Sequence, residues 1–315
     1  MSGAPKRIVS LLPAATEIVA ALGFADALVG RSHECDRPAS VRDLPVCSES
    51  RVDPAAPTDE IHARVESLLA EALSIYRVDA DALRRLRPTH VVTQVQCDVC
   101  AVSLDGVRDA LADWTGSRPA LVSLAAARLE DVFDDMERVA EALDARERGR
   151  VLVAELRRRI GAIADRARGA SARPTVATVE WLAPLMAAGN WMPELVELAG
   201  GRNLFGRAGQ HSPWLDFEDL RRADPDVVIA FPCGFPLEKV AREAHRLTNL
   251  PGFADLTAAR SGRVYLADGN RLFNRPGPGL VETVEALSEI LRPDLFRFGH
   301  ESVAWMRLSG WNPRR

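Results

Sequence analysis

Cysteine and histidine are the residues in this chain best suited to holding a metal, and there are five of one and six of the other. Cys97 and Cys100 form a Cys-x-x-Cys pair directly after an apolar run. His33 and Cys35 lie in Ser32-His33-Glu34-Cys35-Asp36, directly after another. If the two runs are neighbouring strands, three sulfurs and an imidazole meet on one rim. Tetrahedral zinc takes nitrogen and sulfur ligands of this kind, and Cys47 could add a fourth sulfur. Free cysteine is also among the most buried residue types, so the same residues could instead pack a loop floor.

Aromatic residues give a second signal, although they make up only 6% of the chain. Trp181, Trp191 and Trp214 flank turns in the second half, and Phe231, Phe235 and Phe273 follow apolar runs there. Flat, stiff side chains at a cleft mouth grip a large planar ligand with little loss of side-chain freedom. Core filling under loops is the plainer use of the same residues. His211, beside Ser212-Pro213-Trp214, could bring a second imidazole to a metal centre, although a surface loop histidine is the favoured reading. Phosphate-binding glycine loops, the nucleophile elbow and the paired-histidine zinc motif are missing from the sequence. An enzyme reading therefore starts without support.

The elements that would position these residues follow from apolar periodicity. Ile8 to Leu12 reads as a strand, and Pro13 then opens a helix closed by Gly23. Further strands are expected at Ala27 to Gly30, His90 to Gln94 and Ala120 to Leu124. Helices are expected at Ala80 to Leu86 and Leu104 to Trp114. Short strands alternating with helices predict an α/β fold with a parallel sheet. The rim after its strands collects Pro13, Ser32 to Asp36, and Gln94 to Cys100. Ser48 to Tyr76 reads as an addition, with a helix from about Asp59 to Ser74.

The alternation resumes in the second half, with strands at Thr175 to Glu180, Asp226 to Phe231 and Val264 to Leu266. Helices are expected at Pro193 to Ala199, Leu237 to Arg246 and Pro278 to Leu291. Between the halves, Asp144 and Glu147 are spaced as a capping box for a helix running to Arg168. Such a helix is about 36 Å long, enough to join two lobes. The expected organisation is a lobe over 1–143, a connecting helix over 144–169, a second lobe over 170–292 and an irregular tail over 293–315.

Composition bounds the partners. The 315 residues are 47% apolar, and 40 Lys plus Arg against 44 Asp plus Glu leave a net charge of −4. No global positive field exists to attract nucleic acid, and no apolar run approaches the ~20 residues that span a bilayer. An odd cysteine count argues against a secreted disulfide framework. The N-terminus, with one lysine and a five-residue apolar run before Pro13, lacks a secretory pattern. A cytoplasmic location is expected from it.

Arg7-Ile-Val-Ser-Leu-Leu-Pro-Ala-Ala-Thr-Glu17, with Leu22-Gly23 and Val29-Gly30 after it, resembles the opening of the cobalamin and iron-chelate class of ABC-transporter substrate-binding proteins. Leu86-Arg-Pro88, Glu197-Leu-Ala-Gly-Gly-Arg-Asn203, Ala223-Asp-Pro-Asp-Val-Val-Ile229 and Asn270 to Leu291 resemble the same family, and the cobalamin binders most closely. The resemblance implies two Rossmann-like lobes joined by a single long helix, the class III periplasmic-binding-protein fold. It also implies a corrinoid or iron chelate held in the cleft between the lobes, with no further cofactor required.

Carried over residue by residue, the resemblance places Trp181 and Trp214 at aromatic positions of the second lobe, Glu34 and Gln94 at ligand-facing rim positions of the first, and Tyr76 or Ile75 near another. Pro13 on the same rim, with Trp191 and Phe273 among the aromatics, are ligand candidates from the residue reading itself. The resemblance further implies that Asp81 and Glu218 dock onto arginines of an ABC permease. The rim cysteines, with Cys35, Cys97, Cys100 and His33 as candidate zinc ligands, support an alternative. That alternative is an intracellular metal- or thiol-dependent protein reusing the fold.

Overall fold

The computed structural model describes residues 5–71, 73–95, 102, 104–112, 118–169 and 173–308. In the first half these form β1 (Ile8–Ser10), α1 (Pro13–Ala21), β2 (Leu28–Arg31), β3 (Ser48–Ser50), α2 (Thr58–Ala70), β4 (Tyr76–Val78), α3 (Ala80–Leu86) and β5 (His90–Gln94). There follow α4 (Leu104–Ala110), β6 (Ala120–Leu124), α5 (Leu129–Ala142) and α6 (Arg146–Arg168). The second half contains β7 (Thr175–Leu182), β8 (Leu185–Ala187), α7 (Met192–Leu198), β9 (Arg202–Asn203), α8 (Phe217–Ala223) and β10 (Val227–Ala230). It ends with α9 (Leu237–Glu243), α10 (His245–Thr248), α11 (Thr257–Arg260), β11 (Val264–Ala267), α12 (Leu280–Leu291) and β12 (Trp305–Arg307).

The chain divides into two compact units. The first is Met1–Ala56, Glu60–Ala126 and Glu130–Glu155, and the second is Pro57–Asp59, Ala127–Leu129 and Leu156–Arg315. Helix α6 runs from one into the other, its residues passing between units at Glu155 and Leu156. Asp144, expected as its cap, stands at φ 54°, and its carboxylate accepts a hydrogen bond from Lys6 at 2.7 Å.

The first unit is built on a sheet of order β2-β1-β5-β6, with every pairing parallel. Parallel strands need helical crossovers and are buried on both faces, so they read as near-continuous apolar runs. Ile8, Val9, Val91 and Val92 are accordingly fully buried. Beside the sheet, β3 and β4 form an antiparallel hairpin, and Val52, Leu68 and Ile75 make a small separate core under α2. The helix expected here ends four residues earlier than Ser74.

The second unit repeats the plan around the order β12-β11-β10-β7-β8, with β9 pairing β7. β11, β10 and β7 are parallel, whereas β8 and β12 run antiparallel to their neighbours. The repetition reaches individual residues. Asp79-Ala-Asp-Ala-Leu-Arg-Arg-Leu-Arg-Pro88 and Asp216-Phe-Glu-Asp-Leu-Arg-Arg-Ala-Asp-Pro225 each form one short helix. Each begins at an aspartate that caps a backbone N–H, Asp79 to Ala82 and Asp216 to Glu218. Each ends on a left-handed residue, Arg87 at φ 44° and Asp224 at φ 39°. Proline follows, and the chain enters a buried strand.

Two expectations need correction. The stretch 293–315 is not an irregular tail as far as it is described, because Trp305–Arg307 adds a strand to β11 with Met306 opposite Leu266. The Glu289 carboxylate holds the connection, accepting from the backbone N–H groups of Phe298, Gly299 and His300 and from Trp305 Nε1 at 3.0 Å. The helix expected from Leu237 to Arg246 is broken between Glu243 and His245, giving α9 and α10. Among the described residues no helix is long and apolar enough to cross a membrane.

Candidate functional site

In a parallel sheet the carboxyl ends of the strands share one edge, and open α/β sheets bind ligands outside that edge. Each unit therefore offers one rim. On the first unit's rim, Pro13 is half-buried at the first position of α1, Gln94 is buried at the end of β5, and Glu34 is half-buried after β2. Tyr76 lies on β4, opposite Ser50, and packs against the core of this unit and against the small core under α2. Its ring lies 5.6 Å from that of His33.

The thiol cluster does not form among the described residues. Cys35 is 1% exposed, with Sγ 2.9 Å from Thr16 Oγ1 and 3.2 Å from Ser32 Oγ. Burial pushes its thiol up from the ordinary value, away from the thiolate that binds metals. Cys47 is buried in the core against Gly30, where an added Cβ would lie 2.7 Å from its sulfur, and its thiol is pushed up to about 11. Cys97 and Cys100 lie outside the described residues. Among those described, no group of three or more His, Cys, Asp or Glu could hold a metal ion.

His33 retains coordinating chemistry by itself. Its Nδ1 is 3.0 Å from Ser48 Oγ, and burial lowers the imidazole's pKa, which favours the neutral ring that ligates metals.

The second unit's rim sorts the aromatic residues. Trp214 is 61% exposed, with its backbone bridged to Met186. Trp181 is half-buried, donates from Nε1 to the Ala183 carbonyl at 3.1 Å, and meets Phe235 edge-on at 5.3 Å. Two of the aromatic residues expected at the ligand are core instead. Phe273 is fully buried, 4.9 Å from Phe231, and Trp191 is 7% exposed at the start of α7. His211 is exposed, its Nδ1 3.1 Å from the Ser212 carbonyl oxygen.

What holds the Trp214 loop in place is a carboxyl group that the sequence reading passed over as part of a strand. Ser212 Oγ donates to Glu180 Oε2 at 3.0 Å and accepts from Gly189 N–H at 3.1 Å. Gly189 has no alternative here: a Cβ would lie 2.5 Å from the Gln210 carbonyl oxygen. Ala187 N–H to Pro213 O, at 2.9 Å, and Asn190 N–H to Gln210 O, at 2.7 Å, complete the seam. Burial pushes the Glu180 carboxyl up to about 7, against the opposing hydrogen bond from Ser212. A lone acid in the otherwise apolar Thr175–Leu182 run was the available signal.

The chain matches the periplasmic binding protein family over residues 8–270. It belongs to that family. A curated relative, the uncharacterized ABC transporter substrate-binding lipoprotein YvrC of Bacillus subtilis, is 22% identical over 300 residues, covering 93% of this chain and 82% of its own. A periplasmic heme-binding protein from Pseudomonas aeruginosa superposes with a TM-score of 0.70 at 22% identity, covering 93% of this chain and 94% of its own. The vitamin B12 binding protein BtuF of Vibrio cholerae does so with 0.64 at 19%, covering 91% and 97%.

These likenesses agree with the α/β class III fold and with a family of transport binding proteins, not enzymes. They overturn the cytoplasmic location expected from the N-terminus, because the family is periplasmic by description and the named relatives are a lipoprotein and periplasmic proteins.

A pH test follows from Glu180. Its folded-state value of about 7 stands above the ordinary 4.5. Its contribution is therefore fully present below pH 4.5 and is lost as pH rises through 7. Thermal unfolding at pH 5 and pH 7.5 should show Glu180→Gln losing less stability across that interval than the parent chain. Parallel losses would remove Glu180 from this role.

Proposed function

We propose that this protein is the substrate-binding component of an ABC importer for a metal-centred planar macrocycle of the tetrapyrrole class, the class that includes corrinoids and haem. The observation that carries the reading is the second unit's rim. There the Trp214 indole is held out to solvent by a hydrogen-bonded seam while Trp181 and Phe235 form an aromatic floor nearby in the same unit. A tryptophan left 61% exposed forgoes the burial of a large apolar surface, and a large planar partner gives the residue its reason. The names of relatives support the same ligand class, since heme and vitamin B12 are what two of them bind.

Optical titration of the purified protein with haemin and with cyanocobalamin should give saturable binding of one of them. Trp214→Ala should weaken it roughly tenfold or more, the scale of losing one aromatic anchor. Saturable binding of a ferric hydroxamate with neither tetrapyrrole bound would contradict the ligand class.

Asp81 and Glu218 are proposed as the residues that meet the permease. They occupy equivalent positions of the repeated helix, are exposed, and each pairs at 2.8 Å with an arginine three residues on, Arg84 or Arg221. Exposed pairs of this kind are weak and exchange partners readily. Asp81→Lys with Glu218→Lys should abolish ligand delivery to a reconstituted permease and leave ligand affinity unchanged. Undiminished delivery would exclude these carboxylates.

A further inference from the structure

The loop that presents Trp214 is held by backbone bonds and by one carboxyl group. Ala187 N–H donates to Pro213 O and Leu215 N–H donates to Leu185 O, both at 2.9 Å, so Trp214 stands between two ladder bonds to β8. These bonds fix the backbone on either side of the indole, which itself stays largely in solvent. Ser212 closes the near end of the ladder. Its hydroxyl accepts from Gly189 N–H at 3.1 Å and donates to Glu180 Oε2 at 3.0 Å. Gly189 leaves no slack there, because a Cβ on it would lie 2.5 Å from Gln210 O and 2.7 Å from Ser212 N. A change at Glu180 is therefore passed to Ser212, two residues before Trp214.

The surroundings of Glu180 suit a neutral acid better than a carboxylate. The strands β8 and β10 on either side of β7 bring no titratable side chain. Cys233, after β10, meets only the Glu180 backbone carbonyl, through its N–H at 3.1 Å. On α7, Glu194 accepts from Leu129 N–H at 2.9 Å and Glu197 pairs with Arg173. Along the Trp214 loop, Arg207 is exposed and Arg128 packs against Gly209. His211 is the charge that acts on Glu180, and it is exposed. Burial pushes the carboxyl up to about 7, with the Ser212 hydrogen bond and His211 opposing. Glu180 is half-buried, so once ionised it draws water toward itself, and that water competes for the Ser212 hydroxyl.

We infer that ionisation of Glu180 gates the ligand site of the second unit: the neutral acid keeps the Ser212 seam closed and Trp214 presented, and the carboxylate loosens both. Glu180 is then a positioning residue, acting on the guest only through Ser212 and Trp214. The inference rests on the tetrapyrrole reading above for the identity of the guest alone. Affinity is full where the acid is neutral and falls as pH rises through about 7.

Optical titration of the full chain with haemin and with cyanocobalamin, at pH 6 and at pH 8, reads the gate. The probe that saturates should bind about tenfold more weakly at pH 8, the factor by which the neutral fraction of a group titrating near 7 falls across that interval. Glu180→Gln keeps an acceptor for Ser212 and cannot ionise, so its affinity should be equal at the two pH values. Hydrogen exchange of the ligand-free protein gives a readout independent of the guest. The amides of Ala187, Gly189 and Leu215 should exchange faster in the parent chain than in Glu180→Gln at pH 8, and at matching rates at pH 6, which also controls for folding of the variant. A parent affinity that is flat between pH 6 and pH 8, or that falls equally in Glu180→Gln, would overturn the gate and leave the tetrapyrrole reading standing. If neither probe binds, that reading falls, and the exchange comparison decides the gate by itself: faster exchange in the parent at pH 8 supports it and equal exchange overturns it.

Discussion

Parallel strand pairing is the constraint from which the rest of this structure follows. A strand that pairs in parallel on both sides must be apolar on both faces, and its connections must cross over as helices. In each unit the carboxyl ends of the parallel strands therefore share one edge, and the loops leaving that edge are released from core packing. Ser10, Arg31, Gln94 and Leu124 end strands on one such edge, and Leu182, Ala230 and Ala267 on the other. Chemistry that the interior cannot tolerate collects there: an exposed indole, a carboxyl pushed toward neutrality, buried cations.

On the second rim these features depend on one another. Glu180 fixes Ser212, Ser212 fixes Gly189, and the seam they close presents Trp214. Trp181 and Phe235 lie on the same rim, and Phe235 carries Lys239 on its face. A buried polar network is stabilising only when its members are satisfied, and here Glu180, Ser212 and Gly189 satisfy one another.

Much of the architecture was legible in the sequence because it rests on local pattern. His90–Gln94, Ala120–Leu124 and Ala80–Leu86 form where apolar runs and helical spacing place them. Residue type alone could not say which aromatic faces outward. Phe273 and Trp191 carry the same apolar signal as Trp214, and only the packing of Phe231 on Phe273 and the seam around Gly189 separate them. Cys35 was read from its spacing to other sulfurs, but its burial beside Thr16 depends on contacts from α1 and its return turn. The strand at Trp305 was missed for a related reason, since it needs Leu266 as partner and Glu289 as anchor, both distant in sequence. Glu180 was visible as an acid within an apolar strand, and its significance lay in Ser212, thirty-two residues away.

The central claim is that a planar metal macrocycle is gripped at the carboxyl edge of β7, β10 and β11 by Trp181 and Trp214. A crystal structure of the protein grown with haemin tests it most directly. The account predicts the macrocycle in contact with both indoles. A macrocycle seated elsewhere in the second unit, against the Leu182, Phe217 and Leu250 depression for example, with both indoles untouched, would contradict it.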